Sequence, residues 1–239
     1  MDITNLSKFT EQALTRNIFS LFTDPERSKN YSVSAAGLFL DYAKQNIVDC
    51  EFTPLFNLAE QVGLADKISA QFAGDELNST EQRAVLHTVL RAPDAMKVDV
   101  LGAEAQAVID TEAKMAAIVD DVQSGRVNSV TGEKFTDILA IGIGGSYYGV
   151  KVALSALVPY HQKGLKAHVL ANVDGDAAQE KFAKLNASTT LVVVISKTFS
   201  TQETLLNATI VKAWMLNALA ETDHSPADII AQHWYAVST

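Results

Sequence analysis

Residues 135–149 read FTDILAIGIGGSYYG, an apolar run that stops at a glycine-rich turn. Ile138, Leu139, Ala140, Ile141 and Ile143 include β-branched residues and few polar interruptions, the composition of a strand covered on both faces and therefore parallel and central. Gly144 and Gly145 admit a positive φ and a sharp turn, and Ser146 can cap a helix running through Tyr160. A strand, a glycine turn and a helix start together favour an anion, because unpaired amides and the helix dipole point the same way. A tight strand-to-helix connection with no ligand is the plainer alternative.

Two better-known phosphate motifs fail here. The dinucleotide pattern GxGxxG needs a further glycine where Tyr147 stands, which disfavours NAD. The nucleotide P-loop finds Gly144 and Gly149 correctly spaced, but Val150 occupies the lysine position and no Ser or Thr follows to hold magnesium.

Working outward, the alternation of strand and helix becomes regular. Ala167–Asn172 is a second strand, followed by a helix from Asp174 through Leu185. Leu191–Ile195 is a third, followed by the loop Ser196–Thr204 and a helix through about Ala220. Successive β-α units joined by right-handed crossovers give a parallel sheet flanked by helices, with ligands beyond the strand carboxyl ends. The expected architecture is thus α/β and Rossmann-like over 128–239, after a turn-rich boundary at Asn128–Glu133.

Residues 1–127 read as mainly helical. An N-terminal helix leads to a charged turn, Thr23–Asn30, and then to Tyr31–Tyr42, whose alternating pattern suggests an extended segment or hairpin. Residues 53–73 carry one apolar stripe. Asn78–Ala92 has the pattern of a helix with Ser79 or Thr80 as cap and Glu81 or Gln82 as reciprocal partner. On it His87 and Arg91 would share a face, serving either a substrate or a structural contact. A longer helix spans about Leu101 to Val122, with Gly125 suited to its stop.

Composition bounds the function. The chain has 239 residues, 48% hydrophobic and 20% charged, enough for one large or two modest domains and far from disordered composition. A net charge of −9 opposes nucleic acid, so any phosphate recognised belongs to a small ligand in a local pocket. Cys50 is the single cysteine, and no Cys/His metal spacing occurs, so neither a disulfide nor a metal is expected. The first residues lack the charge and apolar core of a signal peptide, and no run approaches membrane-spanning length, which predicts a cytoplasmic protein with no membrane partner.

The loop after the third strand reads SKTFSTQET, so Ser196, Lys197, Thr198, Ser200 and Thr201 crowd the same sheet end as Gly145 and Ser146. Ser200 with Glu203 has the spacing of a capping box for the next helix. Such a box leaves unexplained Ser196, Lys197, Thr198 and Thr201, whose hydroxyls, amides and ammonium suit a phosphate monoester.

IGIGGS (141–146), NVDG (172–175) and SKTFSTQET (196–204), in this order, resemble the glucose-6-phosphate isomerase family. Asn78, Thr80, Glu81, Arg83, Ala84, Val85, Leu86 and His87 extend the resemblance towards the amino terminus. It implies a sugar isomerase (SIS) domain that needs no cofactor, with Gly145, Ser146, Ser196, Lys197, Thr198 and Thr201 holding the phosphate of glucose 6-phosphate or fructose 6-phosphate. The implied reaction is their reversible aldose-ketose interconversion through an enediol, in glycolysis and gluconeogenesis, by a homodimer. Tyr148 and Val150 replace the family's leucine and proline, and Ser200 its commoner threonine. The family chain is more than twice as long. The resemblance therefore implies an N-terminal portion, 1–127 helical and 128–239 a first SIS domain, with the catalytic glutamate, arginine, histidine and lysine all outside this chain. A noncatalytic phosphosugar-binding SIS module is the alternative, and the lack of a basic helix-turn-helix segment disfavours it.

Overall fold

The structure is a computed structural model that describes the fold of residues 4–238. It divides into two compact units, one ending at Ile109 and the other starting at Asp110.

The first unit holds α1 (Thr4–Thr15), α2 (Arg27–Asn30), a hairpin of β1 (Ser32–Ala35) and β2 (Leu38–Asp41), then α3 (Asp49–Gln61), α4 (Leu64–Ala73) and α5 (Asp94–Leu101). The hairpin expected over Tyr31–Tyr42 is present, closed by Ala36 at φ 50° and Gly37 at φ 75°. Positive φ at both central residues matches the twist of a two-residue hairpin. The charged segment before it hides a buried cation: Arg27 donates to the carbonyls of Ala43, Gln45 and Ile47 at 2.8–3.0 Å and lies over the Tyr31 ring. Three carbonyls and a ring face satisfy a guanidinium removed from water. Glu51 is buried too, and its bond to Arg16 holds its carboxyl below the usual range.

The helix expected over Asn78–Ala92 does not form. Asn78 Oδ1 instead accepts from Thr80 Oγ1 and the Glu81 amide, Asn78 bridges Arg83, and Gln82 takes φ 53°. An asparagine side chain that mimics a turn competes directly with helix initiation. Only a short 3₁₀ turn, Val89–Arg91, remains. The helix expected from Leu101 is also interrupted, at Gly102 (φ 56°, ψ −122°), and α6 runs Ala105–Ser124. The division between units thus falls inside α6.

The second unit continues with β3 (Asp137–Ile141), α7 (Gly145–Ala156), β4 (Lys166–Leu170), α8 (Gly175–Phe182), β5 (Thr190–Ile195), α9 (Gln202–Ala218), α10 (Pro226–His233) and β6 (Trp234–Val237). These strands make one parallel sheet in the order β4-β3-β5-β6. β3 is central, as its apolar run requires. One face buries Leu139, Ile141, Val192 and Val194 against Val211 and Met215 of α9 and Ile229 of α10. On the other, Leu191 joins Val122 of α6 and Phe135. β6 was not anticipated from the sequence. A capping box of Ser225 and Asp228 starts α10, whose end hands the chain directly to β6.

His233 closes this core. Its Nδ1 lies 2.8 Å from the Thr190 carbonyl and its Nε2 accepts from the Val130 amide at 3.1 Å, with the ring edge-on to Phe135. That pattern requires a neutral ring with the proton on Nδ1. Burial pushes the pKa of His233 below its ordinary value, against the pull of the Thr190 carbonyl. The unfolded chain then binds a proton more readily than the folded one, so this contribution is complete above about pH 6.5 and is lost as pH falls through the folded pKa. Urea midpoints are expected to drop between about pH 7.5 and pH 5.5, and His233→Gln should flatten that slope while lowering stability throughout. An unchanged slope in the variant would assign the dependence to other groups.

Candidate functional site

Two loops leave adjacent parallel strands at their carboxyl ends, since Ile141 of β3 pairs with Val194 of β5. The first, Gly142–Gly144, leads into α7, and the second, Ser196–Thr201, leads into α9. Gly142 brings them together. A Cβ at this position would lie 2.9 Å from the Ser146 carbonyl oxygen and 3.2 Å from that of Ile195. Both are backbone atoms and cannot rotate away, so Gly142→Ala should lower stability by about 1–3 kcal/mol. Gly149, within α7, has open space at its Cβ, and Gly149→Ala should stabilise by about 0.5–1 kcal/mol. Chemical denaturation of both variants checks the contrast.

The cap of α7 differs from expectation. Gly144, at φ 57° and ψ −122°, is the cap and Ser146 is the second helical residue. This backbone conformation suits glycine, which displaces the serine inward. The Ser146 amide donates to the Ile143 carbonyl at 3.1 Å, and the amides of Tyr147 and Tyr148 to that of Gly144. Gly145 is exposed at the turn and Ser146 half-buried.

In the second loop Ser196 is buried, its amide bonded to the Val237 carbonyl and its Oγ accepting from the Phe199 amide at 3.1 Å. That bond holds Phe199 at φ 49°, a conformation costly for a bulky side chain and typical of functional loops. The Ser196 hydroxyl proton remains available to donate. Thr198 Oγ1 and Ser200 Oγ lie 2.6 Å apart, both exposed. The expected box of Ser200 and Glu203 does not form: Thr201 is the cap of α9, its side chain making no capping bond. Its hydroxyl is therefore not committed to the helix. Lys197 is exposed, and its carbonyl accepts from Ser238 Oγ.

A third loop joins them through a residue that sequence reasoning missed. Asn207 of α9, buried, donates from Nδ2 to the carbonyls of Ala171 and Asn172 after β4. NVDG is thereby tied to the helix that follows SKTFSTQET, and Asp174 caps α8 through the Asp176 amide. A polar residue one turn into a predicted helix was the available signal. His87 belongs to the other unit and is exposed; its carbonyl, not its ring, accepts from Arg91. Its Nε2 lies 3.4 Å from Gln71 Nε2. Among the described residues no group of three or more His, Cys, Asp or Glu could hold a metal ion.

A family profile described as phosphoglucose isomerase matches residues 41–239. This chain belongs to the phosphoglucose isomerase family. Among its relatives, glucose-6-phosphate isomerase 2 of Colwellia psychrerythraea is 54% identical, covering 100% of this chain and 44% of that protein. Glucose-6-phosphate isomerase of Shewanella frigidimarina is 46% identical over 90% of this chain and 39% of its own length. The crystal structure of a glucose-6-phosphate isomerase from Chlamydia trachomatis superposes with a TM-score of 0.73 at 25% identity, over 100% of this chain and 44% of that one. The α/β fold with a parallel sheet is thus that of the phosphoglucose isomerase family, and the chain spans less than half the length of these relatives.

Proposed function

We propose that this chain supplies the phosphate anchor of a glucose-6-phosphate isomerase, the enzyme that interconverts glucose 6-phosphate and fructose 6-phosphate. The observation that carries the reading is the convergence of two donor-rich loops at Gly142, where adjacent parallel strands end. In this reading residues 128–239 are the first SIS domain, following an N-terminal segment over 1–127. The amide of Gly145 and the hydroxyls of Ser146, Ser196, Thr198 and Thr201 donate to phosphate oxygens. Lys197 adds a positive charge, which matters in a chain of net charge −9. The proton-moving groups lie in the part of the family's length outside this chain, and the complete enzyme is a cytoplasmic homodimer. Among the described residues no helix is long and apolar enough to cross a membrane.

Calorimetric titration of the chain tests this. Glucose 6-phosphate should bind, inorganic phosphate should compete, and glucose should give no heat, because the phosphate supplies most of the contacts. Equal binding of glucose and glucose 6-phosphate, or binding of neither, would overturn it.

A further inference from the structure

α9 buries a stripe at helical spacing, Thr204, Asn207, Val211 and Met215. Val211 and Met215 fill the core beside Val192 and Val194, as packing requires. Asn207 is as hidden as they are, at 2% exposure, and it carries an amide. An amide buried without partners would cost more than a leucine in the same place, so its bonds decide its role.

Those bonds run across the sheet. β4 and β5 flank β3, and α9 follows β5. Asn207 Nδ2 donates to the carbonyls of Asn172 at 3.1 Å and Ala171 at 3.4 Å, just past the end of β4 at Leu170. The Leu170 carbonyl itself accepts from the Gly142 amide at 3.3 Å. Successive carbonyls thus tie the end of β4 to the first loop and to α9. α9 in turn begins at its cap Thr201, where the second loop ends.

The second loop has little slack with which to absorb a shift of α9. Its start is pinned by the Ser196 amide on the Val237 carbonyl, and its middle by Phe199, at φ 49° and packed against the core. Asn207 lies about 9 Å beyond Thr201 along the helix, at roughly 1.5 Å per residue. Moving one moves the other.

We infer that Asn207 is a positioning residue of the phosphate site: by bracing α9 against the end of β4, it sets the spacing between the Gly142–Gly144 turn and the Ser196–Thr201 loop. It acts through the place it gives the Thr201 hydroxyl. The inference rests on the functional reading above, which assigns that hydroxyl to the phosphate. A leucine would pack the stripe, but it would leave the Ala171 and Asn172 carbonyls without this donor and α9 free to shift along the sheet.

The test is Asn207→Asp, which keeps the shape and turns the donor into an acceptor facing two carbonyls. In calorimetry well below the unfolding temperature, its affinity for glucose 6-phosphate and for inorganic phosphate should fall about 3- to 10-fold, the loss of one hydrogen bond. In a Thr201→Ala background the same change should cost no more than about twofold, because the group through which it acts has gone. Amide resonances of both 142–146 and 196–201 should move in the ligand-free variant. Asn207→Ala, which removes the donor without adding charge, should give the same pattern and takes over if the aspartate variant does not fold. Unchanged affinity with a lowered urea midpoint would make Asn207 a packing residue only and overturn the inference. So would equal losses in both backgrounds, or amide shifts confined to 171–173 and 203–211. If the parent chain binds neither glucose 6-phosphate nor phosphate, the functional reading falls, and the ligand-free shifts alone decide whether Asn207 couples the loops.

Discussion

Purified on its own, the 239-residue chain is expected to interconvert glucose 6-phosphate and fructose 6-phosphate at no more than the background rate. Passing a proton between C1 and C2 needs a base within hydrogen-bond reach of both, and an anchored phosphate leaves that barrier where it was. Losing general acid-base catalysis removes about 10²- to 10⁴-fold, and losing charge stabilisation of the intermediate about 10²- to 10³-fold more. Glu203 is the carboxylate just after the second loop. The capping box that would have turned it away from the site does not form, and it sits exposed in the first turn of α9. It is therefore the residue to test as a stand-in base. A coupled assay on material checked by mass should show no enzymatic turnover; robust turnover abolished by Glu203→Gln would place the base in this chain.

Replacing Ser196 and Thr201 together by alanine is expected to weaken glucose 6-phosphate binding by about 5- to 150-fold, from roughly 0.5 to 1.5 kcal/mol per hydrogen bond lost. The two contributions are not equivalent. Thr201 makes no capping bond, so Thr201→Ala should lower affinity with little change in the unfolding midpoint. Ser196 is buried and holds the Phe199 amide, so Ser196→Ala should also release the strained turn at Phe199 and cost stability. Calorimetry of the single and double variants, with urea unfolding alongside, separates these effects. Unchanged affinity in the double variant would remove both residues from the site.

What could be read in the sequence was local. The apolar run of β3, its glycine turn and α7 announce themselves within fifteen residues, and a repeat of that pattern implies parallel strands ending together. The loop residues follow from that placement. Choices among neighbouring residues did not follow: Ser146 is a good cap by type, yet Gly144 alone suits the required backbone, and Ser200 lost the α9 cap to Thr201. Asn78 shows the same ambiguity, since the residues of a capping motif also make a side-chain turn. Long-range partners were out of reach. β6 is four residues whose strand character comes from pairing with β5, and Arg27 sits in a charged run with nothing to show that three carbonyls some twenty residues later enclose it. Gly142 could be seen as a glycine but not as the point where two loops touch.

The most direct measurement is amide chemical-shift mapping of the chain during titration with glucose 6-phosphate. The amides of Gly145 and Ser146 and those of 196–201 should shift together along one saturation curve, with inorganic phosphate tracing the same residues. Shifts confined to one loop, or saturable shifts elsewhere with both loops silent, would contradict it.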